Sequence, residues 1–132
     1  MPLYLLDTNT VSHCLKGHPR ALRRLVATPM SDLCLSTVTE GELRYGLAKR
    51  PEATRLLAAV NELLCRVDVL PWDRAAAGRY GVLRAALSRQ GKALGALDMM
   101  IAGHALSVGA ILVSSDGAFR HVQGLTIEDW AE

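Results

Sequence analysis

The sequence predicts an α/β domain, with a short, mainly parallel central sheet flanked by helices in a three-layer sandwich. Three observations predict it. Leu3–Leu6, Leu33–Leu35, Val67–Leu70 and Ile111–Ser114 are short apolar runs without alternation, the pattern of strands buried on both faces of a parallel sheet. Longer stretches between them carry helical spacing and capping residues, and strands alternating with helices build βαβ units. At 132 residues the chain makes one domain, 1–132, long enough to bury roughly two-thirds of its unfolded surface.

The elements follow in order. After the first strand, helix is expected from about Thr8, broken near Gly17-His18-Pro19 and resumed from Arg20 to Ala27. Pro29 and Ser31-Asp32 mark a turn before the second strand at Leu33-Cys34-Leu35. Ser36 is placed to cap a helix running to about Ala48. Pro51 is expected to start another, in which Leu56, Leu57, Val60, Leu63 and Leu64 recur at helical spacing. Pro71-Trp72-Asp73 ends the third strand, and Asp73 caps a long Ala- and Arg-rich helix through Arg89. Gly91 and Gly95 bracket a loop, Ala96 to Val108 is the last long helix, and a short fifth strand is expected near Leu125 to Ile127.

Composition narrows the class. No apolar run approaches the ~18 residues of a membrane span, and no positive segment leads into a long apolar core as in a secretory signal. Cys14, Cys34 and Cys65 are odd in number and lack C-x-x-C spacing, which favours free core thiols in a reducing cytoplasm. Arginines outnumber lysines twelve to three, and the planar guanidinium suits phosphate. Lys16, Arg20, Arg23 and Arg24 cluster after the first strand, and Arg44, Lys49, Arg50 and Arg55 after the second. These are either solvated helix faces or the footprint of a polyanionic substrate.

Four acids stand where strands end or helices begin: Asp7, Glu42, Asp98 and Asp116. In a parallel α/β sheet those places meet in one crevice at the carboxyl ends of the strands. Carboxylates converging at roughly 6 Å repel by about 3 kcal/mol per pair at an effective dielectric of 20. Protonation or a bound cation relieves that repulsion, and an all-carboxylate set with water prefers Mg2+ or Mn2+ to zinc. A hard cation in an acidic cleft rimmed by arginine suits phosphodiester hydrolysis. Thr8, Asn9, Ser36, Thr39 and Ser115 are short hydrogen-bonding residues beside these acids, suited to orienting carboxylates and waters. Ser36 and Thr39 have an alternative role as helix-cap residues. Glu40 competes with Glu42, but two positions apart on a helix they face differently. His104 is expected to be packed or partner-facing, and Trp72 and Trp130 to close the core, with base stacking as the alternative.

Two other readings fit less well. An aspartyl-phosphate phosphatase with Asp7 as nucleophile usually wants a second Asp two positions on, where this chain has Asn9. A noncatalytic RNA- or protein-binding module would not need the full set of acids. No G-x-x-x-x-G-K-[ST] string occurs, which excludes a P-loop enzyme.

Taken in order, four strings resemble the motifs of the PIN-domain family, and within it the VapC toxins of bacterial toxin–antitoxin pairs. They are Leu5-Leu6-Asp7-Thr8-Asn9; Ser36-Thr37-Val38-Thr39-Glu40-Gly41-Glu42-Leu43; Leu94-Gly95-Ala96-Leu97-Asp98 with Ile101-Ala102-Gly103-His104-Ala105; and Leu112-Val113-Ser114-Ser115-Asp116 with Gly124 to Trp130. The second string selects Glu42 over Glu40. The resemblance implies a single PIN-like domain and a Mg2+- or Mn2+-dependent endoribonuclease, with Asp7, Glu42, Asp98 and Asp116 as metal-binding acids. It also implies a homodimer and inhibition by a cognate VapB-type antitoxin that obstructs the cleft. Leu70-Pro71-Trp72-Asp73 and the Ile101-to-Ala105 string resemble the branch that cleaves initiator tRNA in the anticodon stem–loop. Many relatives carry Thr and Asn, or another acid, near Asp116, where this chain has Gly117 and Ala118. Asp116 is therefore ranked after the other three, as a direct or a water-mediated ligand.

Overall fold

A computed structural model of the chain describes residues 2–132. Five strands form one sheet: β1 (Tyr4–Leu6), β2 (Leu33–Ser36), β3 (Asp68–Leu70), β4 (Ile111–Val113) and β5 (Ile127–Glu128). Their order is β3-β2-β1-β4-β5, and all four pairings are parallel, so the sheet is wholly rather than mainly parallel. The first three strands step outward on one side of β1, and β4 and β5 step outward on the other. The winding thus reverses between β1 and β4, the position where doubly wound sheets hold ligands at their carboxyl ends.

Six helices cover the sheet: α1 (Thr8–Leu15), α2 (Pro19–Ala27), α3 (Thr37–Ala48), α4 (Thr54–Arg66), α5 (Arg74–Arg89) and α6 (Ala96–Val108). Side chains on a strand alternate between faces, so neighbouring apolar residues feed two separate cores. Leu6, Leu33, Leu35 and Val113 pack with Val11, Leu25, Leu43, Val60, Leu63 and Trp130 on one side. Leu5, Cys34 and Leu112 pack with Leu83, Leu87, Met99, Ile101 and Phe119 on the other. The result is the expected three-layer sandwich.

Helix α6 lies against α5, closely enough that a Cβ at Gly103 would meet the Tyr80 backbone nitrogen at 2.9 Å. It ends at Gly109, whose φ of 67° is the left-handed conformation glycine adopts without strain. The long α5 begins on the Asp73 carboxylate, which accepts the Ala76 amide at 3.1 Å.

Several expectations are corrected. The fourth helix starts at Thr54, not Pro51: the Ala53 amide bonds the Arg50 carbonyl, so Pro51 and Glu52 form a turn leading into the helix. Leu57 of its apolar stripe is exposed. β5 sits one to two residues later than expected, paired through Leu112↔Ile127 and Val113↔Glu128. Short 3-10 turns at Met30–Asp32 and Gly117–His121 add to the expected elements. Cys14 and Cys34 are buried free thiols, their pKa values pushed by burial to about 11 and about 12, whereas Cys65 is exposed. Trp130 closes one core; Trp72 is half-buried, its indole N–H donating to the Met100 carbonyl at 2.9 Å.

Candidate active site

Asp7 follows β1 directly and is buried, at 4% exposure. Its amide donates to the Val113 carbonyl at 3.0 Å, which extends the β1–β4 ladder one residue beyond the strand. Its Oδ1 accepts the Thr10 amide at 2.8 Å and caps α1, and the Thr10 hydroxyl also donates to Val113. One carboxylate oxygen is thereby committed to holding the side chain still.

Glu42 comes to the cleft from the second turn of α3. The Thr8 hydroxyl donates to its Oε1 at 2.6 Å, and Thr39 Oγ1 lies 3.4 Å from that hydroxyl. A hydroxyl donating to a carboxylate fixes its direction. Glu40, by contrast, accepts from Arg44 at 2.8 Å in a surface (i, i+4) pair, so the two glutamates divide as their spacing requires.

Asp98 occupies the first turn of α6. Its carboxyl is held above the usual range, first by burial and then by the charges of Asp116, Asp7 and Glu42. All four acids from the four strings therefore share one electrostatic neighbourhood at the β1–β4 switch point. A Cβ at Gly95 would sit 3.4 Å from Asp98 Oδ2, in van der Waals contact with it.

Asp116 differs from the other three. It is exposed, accepts the Ala118 amide at 2.9 Å to cap the 3-10 turn, and donates its own amide to the Ser114 hydroxyl at 3.0 Å. Ser115, expected beside the acids, gives its hydroxyl to Asp129 at 2.7 Å. The buried Ser114 is the serine that shapes this corner. Alternation along β4 was the available signal, since Leu112 and Ser114 fall on one side of the pleat and Val113 and Ser115 on the other.

The remaining expected residues divide by burial. Thr39 is fully buried beside Thr8, and Asn9 is exposed in the first turn of α1. Ser36 is fully buried; its hydroxyl accepts the Val38 amide at 3.0 Å, capping α3, and lies 2.8 Å from His104 Nδ1. His104 is thus packed, its pKa lowered by burial, and its Nε2 is buried without a partner among the described residues. Sequence spacing did not link Ser36 with His104, because the contact spans 68 positions.

The donors present are hard: carboxylates with threonine and serine hydroxyls. That set suits Mg2+ or Mn2+, and a divalent cation would offset the repulsion that raises Asp98. Among the described residues no three His, Cys, Asp or Glu side chains form a closed cage. Cations flank the Glu42 side, where Lys16, Lys49 and Arg50 line a cavity of about 230 Å³ together with Thr8 and Glu42. Arg24 is turned elsewhere, paired with Glu128 at 2.9 Å and stacked over Trp130.

The fold and this cleft define a single-domain α/β protein with carboxylates gathered at a sheet switch point. Comparison with known proteins makes the class specific. A PIN domain match covers residues 4–125. The chain is 41% identical over 129 residues to a tRNA(fMet)-specific endonuclease VapC of Shigella flexneri, covering 97% of this chain and 98% of that protein. It is 36% identical to a ribonuclease VapC2 of Haemophilus influenzae, covering 96% and 97% of the two chains. The crystal structure of DNA-bound VapBC from Salmonella typhimurium superposes with a TM-score of 0.91 at 39% identity, covering 98% of this chain and 99% of that one. The chain belongs to the PIN-domain family, in its VapC branch.

Proposed function

We propose that the protein is a metal-dependent endoribonuclease acting as the toxin of a toxin–antitoxin pair, hydrolysing RNA phosphodiester bonds in the cleft formed by Asp7, Glu42, Asp98 and Asp116. The observation that carries this reading is the raised Asp98 carboxyl, which feels all three other acids although they lie up to 109 positions apart in sequence. The names of the VapC relatives support the ribonuclease class and, for the Shigella flexneri protein, a tRNA substrate. The VapBC complex among the structural relatives supports a VapB-type antitoxin as partner. A homodimer working in the cytoplasm completes the proposal; no helix is long and apolar enough to cross a membrane, among the described residues.

Bound Mg2+ or Mn2+ would supply Lewis acidity, activating water and neutralising charge on the phosphate oxygens. The chain's own residues set the stage. Asp7, Glu42 and Asp98 would hold the ion, with Asp116 as the outer member of the set. Thr8 keeps Glu42 aimed, and the α1 cap fixes the Asp7 side chain. Lys16, Lys49 and Arg50 would draw in the RNA backbone, and their pull weakens as salt is added.

The deciding experiment is cleavage of total cellular RNA by purified protein with Mg2+ and with EDTA, beside Asp7→Asn. Discrete metal-dependent fragments that vanish in the variant support the proposal, and sequencing their ends names the target. The competing reading is a noncatalytic RNA- or protein-binding module. An unchanged melting temperature at saturating Mn2+, together with no cleavage, would favour it, because a ligand that binds only the folded state must stabilise that state.

A further inference from the structure

One buried polar side chain on α6 is incompletely satisfied. His104 is 1% exposed, and its Nε2 meets no partner among the described residues. An imidazole in that position loses hydration without full return, whereas an apolar side chain would carry no such cost. Packing alone therefore does not account for a histidine here, and local costs of this kind collect at functional sites. Its side chain makes one hydrogen bond, between Nδ1 and Ser36 Oγ at 2.8 Å. That bond links α6 to the residue that both ends β2 and caps α3. Glu42 lies six residues after Ser36, and Asp98 six residues before His104. Six helical residues advance about 9 Å, so fewer than two turns of helix separate each acid from the bond.

We propose that His104 is a positioning residue of the metal site: its Nδ1 accepts the Ser36 hydroxyl, and this strut sets the gap across which Glu42 and Asp98 share a cation. The role rests on the metal-dependent ribonuclease reading and adds to it a residue that touches neither metal nor RNA. Hydrogen balance gives the bond its direction. Ser36 Oγ already accepts the Val38 amide at 3.0 Å, which leaves its own hydrogen for Nδ1. The proton of the neutral ring then sits on Nε2, and one buried nitrogen is unpartnered. The reverse direction would leave two groups unpartnered among the described residues, the Ser36 hydroxyl hydrogen and Nε2. Burial keeps the ring neutral, outweighing the pull of the Asp73 charge. The strut also works against a force. Glu42 is among the charges that raise Asp98, so without a cation the two acids push their helices apart. A Mg2+ or Mn2+ site depends on fixed ligand positions, which a relaxed gap would lose. The helices stay attached without the strut, because Trp72 bonds Thr37 through its amide and Met100 through its indole. Positioning by His104 is therefore separable from folding.

The test reads Mn2+ affinity of the purified chain by titration calorimetry, beside cleavage kinetics. His104→Leu, folded by its far-UV spectrum, is expected to weaken Mn2+ by about threefold to tenfold, short of the loss for a partner that bonds a ligand directly. At subsaturating Mn2+ its kcat should fall by a similar factor while KM for RNA stays unchanged, since the strut touches no RNA. His104→Asn, whose carbonyl can accept from Ser36, should restore most of the affinity. Ser36→Ala breaks the same bond from the β2 side and serves where His104→Leu does not fold; in the double variant the two affinity losses should not add. Leu83→Val, a core change on α5 away from the strut, should melt lower yet bind Mn2+ as the parent does. Nitrogen-15 spectra of the His104 ring should show a bare Nδ1 and a protonated Nε2. Unchanged Mn2+ affinity in both His104→Leu and Ser36→Ala would overturn the strut, and metal-dependent cleavage by the unaltered chain would then leave the ribonuclease reading standing. An equal loss of affinity in Leu83→Val would also overturn it, reducing His104 to a contributor to stability. A protonated Nδ1 would overturn the direction of the bond. Absence of both Mn2+ binding and RNA cleavage in the unaltered chain overturns the ribonuclease reading and the strut with it.

Discussion

The two walls of the acidic cleft are built differently. Glu42 and Asp98 stand on α3 and α6, helices joined by hydrogen bonds: Ser36 to His104 at 2.8 Å, buried, and Trp72, whose backbone amide donates to Thr37 at 3.1 Å and whose indole donates to Met100 at 2.9 Å. Asp7 is tied to β4 through Val113. Asp116 faces them from a five-residue 3-10 turn held by bonds to Ser114 and Ala118, each two residues away. The elements that carry three of the acids are therefore tied across the fold, while the Asp116 side chain is held within its own turn. Long-range contacts resist displacement because several elements must move together; Asp116 is exposed, although Phe119 anchors its turn in the core. The first wall is thus braced by several elements, the second by Phe119 and short-range bonds.

The largest expected break is Asp7→Asn. Asparagine still caps a helix, so the fold should survive with an unchanged far-UV spectrum. Cleavage should fall well beyond the 10- to 100-fold typical of losing an orienting partner; residual activity within tenfold of the parent would refute Asp7's role. Asp98→Asn should be as inactive, and it carries a stability signature. Because the folded pKa of Asp98 is raised, the folded chain holds its proton longer than the unfolded chain does. Metal-free stability is then fullest below the ordinary aspartate pKa and falls as pH rises through the raised value. The variant should flatten that decline and melt higher than the parent at neutral pH without metal. A steeper decline would contradict the sign.

Ser36→Ala sharpens the contrast within the braced wall. It removes the cap of α3 and leaves His104 without its one hydrogen bond. A loss of about 2 kcal/mol in urea unfolding is expected. Thr8→Val keeps the shape but strips Glu42 of its donor, and should cost about tenfold in cleavage, recoverable in part at high Mn2+. Smallest is Asp116→Asn, at a few-fold, since its amide partner at Ala118 can be kept. A larger loss from Asp116→Asn than from Thr8→Val would reverse the assignment of the two walls.

The sequence foretold most of the framework for reasons that are local. Ala96–Val108 was bounded correctly because Gly95 and Gly109 flank it and no proline interrupts it. The four acids were visible because each ends a strand or opens a helix. Glu42 was separable from Glu40 because helical geometry lets only one face the cleft, and Arg44 holds the other. What escaped was set by tertiary structure. The start of the fourth helix turned on a backbone bond from Ala53 to Arg50, which composition does not encode. Ser114 rather than Ser115 supports Asp116, a choice fixed by the pleat of a strand whose end was uncertain by one residue. The Ser36–His104 contact joins elements that only the packing of α6 over the sheet brings together.

The central place of β1 also bears on how the molecule is made. The first strand synthesised lies in the middle of the sheet, and the Asp7 amide finds its acceptor only when Val113 arrives. At a ribosomal pace of about 5–20 residues per second, roughly 5–20 s separates the synthesis of Asp7 from that of Asp116. Throughout that interval the growing polypeptide has no complete set of acids to assemble. A chain wound this way cannot complete its acidic cleft until its last strands have docked.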